Sequence, residues 1–190
     1  MKIYFASSNK NKLKEVTSIL NAYGVNVEAL LLESPEIQSD APEEIARFSV
    51  QFAFNKIKQP IFVEDSGLFI EALNGFPGPY SSYVYKTIGN DGILKLMQNK
   101  ENRTANFKSI IAYSEATNFI KIFIGQTSGT ISTEILKGNN GSWGFDPIFL
   151  PEEGNKRTYA EMGIEEKNKI SHRKKSLEKF GKWFKKNRGY

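Results

Sequence analysis

The 190-residue chain contains no cysteine and only one histidine. Without cysteine there can be no disulfide framework, thiolate metal site or sulfur nucleophile, and a reducing compartment fits. Long apolar runs are also missing. None approaches the ~18 residues needed to cross a bilayer, and Met1–Lys10 does not read as a basic region leading into an apolar signal core. The expectation is a soluble cytoplasmic protein with no membrane partner. Excess charge of one sign is absent from most of the chain. Ten Lys and Arg against the single acid Glu178 fall between Lys167 and Tyr190, so a total of +5 leaves the other 166 residues at −4. The basic character is local to the C-terminal segment.

What is present suits a packed core: 39% hydrophobic residues, including 14 Phe and 8 Tyr, with 25% charged residues. Ile3–Ala6 reads as a strand. Leu13, Val16, Ile19, Leu20 and Tyr23 recur at helical spacing up to a Gly24 cap, and Val25–Leu32 reads as a second strand. Asp40-Ala-Pro-Glu43 predicts a capped helix start. The helix it opens is expected to bury Ile45, Phe48, Phe52, Ala53 and Ile57 and to stop at Pro60. Ile61–Val63 follows as a buried third strand. Residues 74–79, with two Gly and two Pro, form a loop, and a short helix covers about 92–98. Phe107–Tyr113 and Phe119–Gln126 pair about a turn at 114–117, and a further strand is expected over 125–131. A helix from about Ser171 carries Leu177, Phe180 and Phe184 inward. Strands alternating with helices give an α/β fold with a mixed sheet, and no linker or repeat divides residues 1–190, so one domain is expected.

Four segments carry chemistry. Ser7-Ser8-Asn9-Lys10-Asn11-Lys12 joins a strand to a helix, where free backbone N–H groups and the helix dipole favour an anion. Ser7 and Asn9 can hydrogen-bond phosphate oxygens, and Lys12 adds a point charge. A plain helix cap with solvated lysines is the alternative. Val63-Glu64-Asp65-Ser66 places two carboxylates at the end of a buried strand, where α/β sheets bind ligands. Asp65 can hold Mg²⁺ or orient water, with Ser66 near phosphate and Glu36, after the second strand, as a further ligand. Glu64 reads equally as an ion-paired acid. Trp143-Gly144-Phe145-Asp146 offers stacking faces and a carboxylate for a ring N–H, with core filling as the alternative for Phe145. His172 and Arg173, preceded by Lys167, can donate to a keto oxygen or ring nitrogen.

The blocks SSNKNK, VEDSGL with LNGFPGPYSS, GSWGFDPIF and EEKNKISHR, in this order over residues 7–173, resemble the inosine triphosphate pyrophosphatase family, the Ham1-type non-standard purine NTP pyrophosphatases. The resemblance implies an elongated mixed sheet with flanking helices, two lobes with the active site in the cleft between them, and a homodimer. It implies Mg²⁺-dependent hydrolysis of ITP, dITP and XTP to monophosphate and pyrophosphate. By resemblance, Ser7, Asn9 and Lys12 bind the triphosphate with Ser66 and Lys167, and Asp65 is the catalytic base and a metal ligand with Glu36. Trp143–Asp146 bind the base, and His172 and Arg173 read its edge. Two positions depart from the family pattern: Ser49 stands where relatives carry a phosphate-facing Lys, with Arg47 nearby, and Glu64 replaces an Asp. Two rivals are open at this stage. A nucleic-acid module built on the basic segment with Trp183 and Phe184 is one, and a Maf-type enzyme acting on other nucleotides is the second. We expect the enzyme, with no nucleic-acid partner.

Overall fold

A computed structural model describes residues 2–32, 34–35, 37–138 and 143–187. The strands are β1 (Lys2–Ala6), β2 (Asn26–Leu30), β3 (Ile61–Ile70), β4 (Pro77–Gly78), β5 (Thr104–Ala116), β6 (Phe119–Ile131) and β7 (Phe149–Pro151). The helices are α1 (Lys10–Asn21), α2 (Pro42–Ile57), α3 (Ser81–Thr87), α4 (Gly89–Leu96), α5 (Tyr159–Ile170) and α6 (His172–Asn187). The sheet runs β2-β1-β3-β5-β6-β7, and β4 also pairs with β3. Parallel pairing of β1 with β2 and β3, and antiparallel pairing of β3 with β4 and β6 with β7, make it mixed. The expected α/β class with a mixed central sheet and flanking helices is what the chain forms.

The chain divides into two compact units: Met1–Asp65, Ser109–Gly125 and Arg173–Tyr190 in the first, Ser66–Lys108 and Gln126–His172 in the second. In the first unit, period-2 alternation sorts the strand side chains. Phe62, Ile111 and Tyr113 pack with Val16 and Leu20 of α1 and with Leu177, Phe180 and Phe184 of α6. Their neighbours Ile61, Val63, Ile110 and Ala112 pack with Ala46, Val50, Ala53 and Phe54 of α2. The sheet here is therefore covered on both faces. Phe62 stacks on Phe5 at 4.8 Å and meets Phe180 at 5.2 Å. Truncation of a ring packed this way costs about 3–5 kcal/mol. In the second unit one core gathers Leu68, Ile93, Phe107, Phe145, Phe149 and Tyr159.

Several boundaries differ from expectation, each for a local reason. Strand β3 does not end at the carboxylates but continues to Ile70, because Leu68 and Phe69 pair with Gly78 and Pro77. Glu64 and Asp65 thus lie within a strand, and Ser66 is not at a turn. Asp40 does not cap α2. Ala41 occupies that position, and Ser39 Oγ accepts from its N–H at 3.1 Å while donating to Glu44 at 2.9 Å. The buried stripe of α2 is Ala46, Val50, Ala53 and Phe54, so Phe48 is exposed: small residues let the helix approach the sheet closely on a face shifted from the bulkiest side chains. Asn118, at φ 61°, turns the hairpin later than expected, and β6 is a single strand to Ile131. Helices α3 and α5 were not foreseen. The first is short and buries only Ser81 and Val84; the second is broken by Gly163 (φ 73°), which interrupts its periodicity.

Candidate functional site

In the first unit, β1 delivers the chain to the N-terminus of α1. Asn9 is the N-cap, its side-chain oxygen accepting from the N–H groups of Asn11 at 2.9 Å and Lys12 at 3.1 Å. Ser7 Oγ accepts from Asn9 N–H at 3.2 Å. Ser8, Lys10 and Asn11 are exposed, whereas Ser7, Asn9 and Lys12 are half-buried. The first turn of α1 carries no acid, so the positive end of its dipole is not offset by a carboxylate of its own helix.

Lys12 does not point into solvent. Its Nζ lies 3.0 Å from Glu64 Oε2 and donates to the Glu64 carbonyl at 3.1 Å. Arg173 Nε lies 3.2 Å from Glu64 Oε1, and Arg173 Nη1 lies 2.6 Å from Glu15 Oε2. Ser109 Oγ donates to Glu64 Oε1 at 2.7 Å and shares a hydrogen bond with Ser176 Oγ at 2.9 Å. The i,i+3 spacing puts Lys12 and Glu15 on one face of α1, and Arg173 and Ser176 on one face of α6. Two cations and two carboxylates thus balance inside the protein. Burial alone would raise the Glu64 pKa, but Arg173, Lys12 and the Ser109 hydroxyl overcome it and hold the carboxyl well below its usual range. Burial would likewise lower Arg173, and Glu64 with Glu15 raises it instead.

Glu64 shares the α1 and α6 side of the sheet with Phe62. Alternation then turns the next residue, half-buried Asp65, toward the α2 side with Ile61 and Val63. Asp65 offers a hard oxygen donor suited to Mg²⁺. Glu64 does not fit that part, because both its oxygens already meet cations or a hydroxyl. Glu36 lies outside the described residues, and these contain no cluster of three or more His, Cys, Asp or Glu that could hold a metal. On α2, Arg47 is exposed and Ser49 half-buried.

In the second unit, Gly144 at φ 65° allows the chain to turn between Trp143 and Phe145, and Asn90 Nδ2 donates to the Gly144 carbonyl at 3.3 Å. Asp146 Oδ2 accepts from Trp143 N–H at 3.2 Å and from Lys167 Nζ at 2.6 Å. The Lys167 ammonium sits 5.3 Å from the Trp143 ring centroid and 5.5 Å from that of Tyr159, within cation–π range. Lys167 therefore lies with the Trp143 segment. Phe145 is buried in the core edge-on to Tyr85 at 5.5 Å, and half-buried Trp143 is the more accessible ring. His172 stacks on Phe107 at 4.6 Å and 10°. Burial, with Asp146 and Glu153 adding to it, pushes the Tyr159 hydroxyl up and keeps it protonated. Ser66, half-buried on β3, begins this unit.

Sequence reasoning missed Glu15, Ser109, Ser176, Phe107 and Tyr159. The first three left a signal, since each is polar within an apolar stripe. Tyr159 directly follows Thr158, whose hydroxyl forms a capping box with Glu161.

The first unit thus carries a helix N-terminus beside a buried ion cluster, and the second an aromatic turn clamped by a Lys–Asp pair, within a mixed α/β sheet. The chain belongs to the Ham1 family, whose model matches residues 3–183. It is 52% identical over 187 residues to the dITP/XTP pyrophosphatase of Methanopyrus kandleri, covering 98% of each chain. It is 49% identical over 187 residues to that of Thermococcus kodakarensis, covering 98% of this chain and 99% of the relative. A HAM1 protein of known structure from Coxiella burnetii superposes with a TM-score of 0.87 at 30% identity, covering 98% of this chain and 99% of that one.

Because the folded pKa of Glu64 is depressed below the ordinary 4.5, its ion pairs stabilise the fold above that value, and the stabilisation is lost as pH falls through the lower folded value. Glu64→Gln should destabilise the protein by about 3–5 kcal/mol near neutral pH. That deficit should shrink as thermal melts are repeated from about pH 7 down to about pH 3. A deficit independent of pH would contradict the ion-pair assignment.

Proposed function

We propose that this protein hydrolyses non-standard purine nucleoside triphosphates (ITP, dITP and XTP) at the α–β phosphoanhydride, giving monophosphate and pyrophosphate and keeping these nucleotides out of DNA and RNA. The observation that carries this reading is 52% identity over nearly the full chain to a dITP/XTP pyrophosphatase. The geometry supports it with phosphate-type ligands at α1 and a base-type platform at Trp143.

In this reading the backbone N–H groups at Ser7–Lys12 and the Lys12 ammonium bind the triphosphate, with Ser66 assisting. Asp65 accepts the proton of the attacking water. The water oxygen bonds to one phosphorus of the α–β bridge as the bond from that phosphorus to the bridging oxygen breaks, monophosphate and pyrophosphate separate, and the proton passes from Asp65 to solvent. Asp65 and Glu36 would hold Mg²⁺, which would supply charge neutralisation to the triphosphate. Trp143 stacks on the purine beside Asp146 and Lys167. His172, oriented by Phe107, and Arg173, oriented by Glu15 and Glu64, donate to the 6-keto oxygen. Adenine presents an amino donor there, and a site built on such hydrogen bonds discriminates by about 10⁴ or more.

We place the enzyme in the cytoplasm as a homodimer. Phe76, Tyr80 and Tyr83, which are 37%, 41% and 69% exposed, supply apolar surface for a second copy. Light scattering should return twice the chain mass, and Tyr83→Lys should shift it toward the monomer. A monomeric wild type would contradict the dimer.

The reaction is tested with a panel of triphosphates assayed for pyrophosphate release with and without Mg²⁺. ITP and XTP should turn over far faster than ATP, and Asp65→Asn should lower kcat by about 10²–10⁴-fold with an unchanged melting temperature. Comparable rates on ATP and ITP, or near-normal turnover by Asp65→Asn, would reject the corresponding assignment.

A further inference from the structure

The two carboxylates of the Glu64-Asp65 pair differ in what surrounds them. Glu64 has a side chain with no solvent exposure, and its oxygens meet Lys12 at 3.0 Å, Arg173 at 3.2 Å and Ser109 at 2.7 Å. A group that accepts a proton from water, or gives an oxygen to a hydrated metal ion, must meet water or the ion, and this one is enclosed by cations. The cations it holds come from different helices, α1 and α6, and from opposite ends of the chain. In the proposed reaction one serves the triphosphate and the other the purine edge.

We propose that Glu64 is a positioning residue: its carboxylate fixes the Lys12 ammonium and the Arg173 guanidinium relative to one another, coupling phosphate binding to base recognition. This rests on the nucleotide reading above. Lysine is a compact charge on a flexible stem and gains most from being held. Here it is held twice, by the Glu64 carboxylate and by the Glu64 carbonyl. Donors already in place at the developing charge contribute more than donors that must reorganise. The second carboxylate, Glu15, completes the balance on Arg173, so net attraction for a polyanion comes from the helix terminus, exposed Lys10 and bound metal rather than from uncompensated buried charge.

The test is steady-state kinetics of the full chain on ITP and ATP, with Mg²⁺ present, for wild type, Glu64→Gln, Glu64→Asp, Lys12→Met and the Lys12→Met/Glu64→Gln double variant. Glu64→Gln should raise KM for ITP by about 10-fold or more and lower the ITP-to-ATP ratio of kcat/KM, since Lys12 keeps only the residue-64 carbonyl and Arg173 only Glu15, and the carboxylate that joins them is gone. The acid limb of its kcat profile should persist, because Asp65 remains. Glu64→Asp, which keeps the charge, should recover most of the KM. In the double variant, Glu64→Gln should add less than about threefold to the Lys12→Met defect in kcat/KM. If Glu64→Gln is too unstable at the assay temperature, Ser109→Ala, which removes the hydroxyl that positions the carboxylate, carries the same comparison in the same direction at smaller size. An unchanged KM with kcat abolished and the acid limb gone would overturn the inference in favour of direct chemistry by Glu64. Strictly multiplicative effects of Lys12→Met and Glu64→Gln would overturn it too. A wild type inert toward ITP would overturn the nucleotide reading as well, whereas an active wild type with either of those patterns overturns this inference alone.

Discussion

A carboxylate buried in the middle of a sheet is expensive unless it is matched, and Glu64 is matched from three elements: by Lys12 from α1, Arg173 from α6 and Ser109 from β5. Desolvating each ion costs several kcal/mol, which is recovered only with good geometry and satisfied partners. That requirement fixes where α1 and α6 can sit on the sheet as firmly as the aromatic packing of Phe5, Phe62 and Phe180 does. It also sets the N-terminus of α1, because Lys12 lies in the same turn that Asn9 caps. The anion-binding end of the helix and the buried ion cluster are therefore one construction.

The same economy appears in the second unit at smaller scale. Asp146 both stops its own turn, by accepting from Trp143 N–H, and holds Lys167 beneath two aromatic rings. The backbone of the turn and the charge beside the indole are thus set by one carboxylate. Thr127 Oγ1 donates to the Ile170 carbonyl at 2.8 Å, tying the chain just before His172 and Arg173. These two neighbours diverge, His172 onto Phe107 and Arg173 onto Glu15 and Glu64.

Much of this was legible in the sequence where local physics decides. The strand at Ile3–Ala6, the helix behind Asn9, and the inner face Leu177, Phe180 and Phe184 follow from periodicity and capping, and the structure has them. What was not legible depends on partners distant in the chain. Strand β3 reads as ending at its carboxylates, because a buried Glu looks like a stop until Lys12 and Arg173 are brought to it. The α2 face was misjudged because Phe48 looks apolar inward, while close approach to the sheet favours Ala46, Val50 and Ala53. Gly163 hid α5 by breaking its period. Trp143, Asp146, Lys12 and Arg173 stand out in the sequence by motif, whereas Glu15 and Ser109 show only as single polar residues in apolar stripes, whose partners the sequence does not name, and Tyr159 reads as core.

The bond that is cut distinguishes a pyrophosphatase from other triphosphate hydrolases. The most direct measurement is ³¹P NMR of ITP incubated with the protein and Mg²⁺. Inosine monophosphate and pyrophosphate appearing together in equal amounts, with no diphosphate intermediate, is the predicted result. Inosine diphosphate with inorganic phosphate would place the cleavage at the β–γ bridge and contradict the assignment.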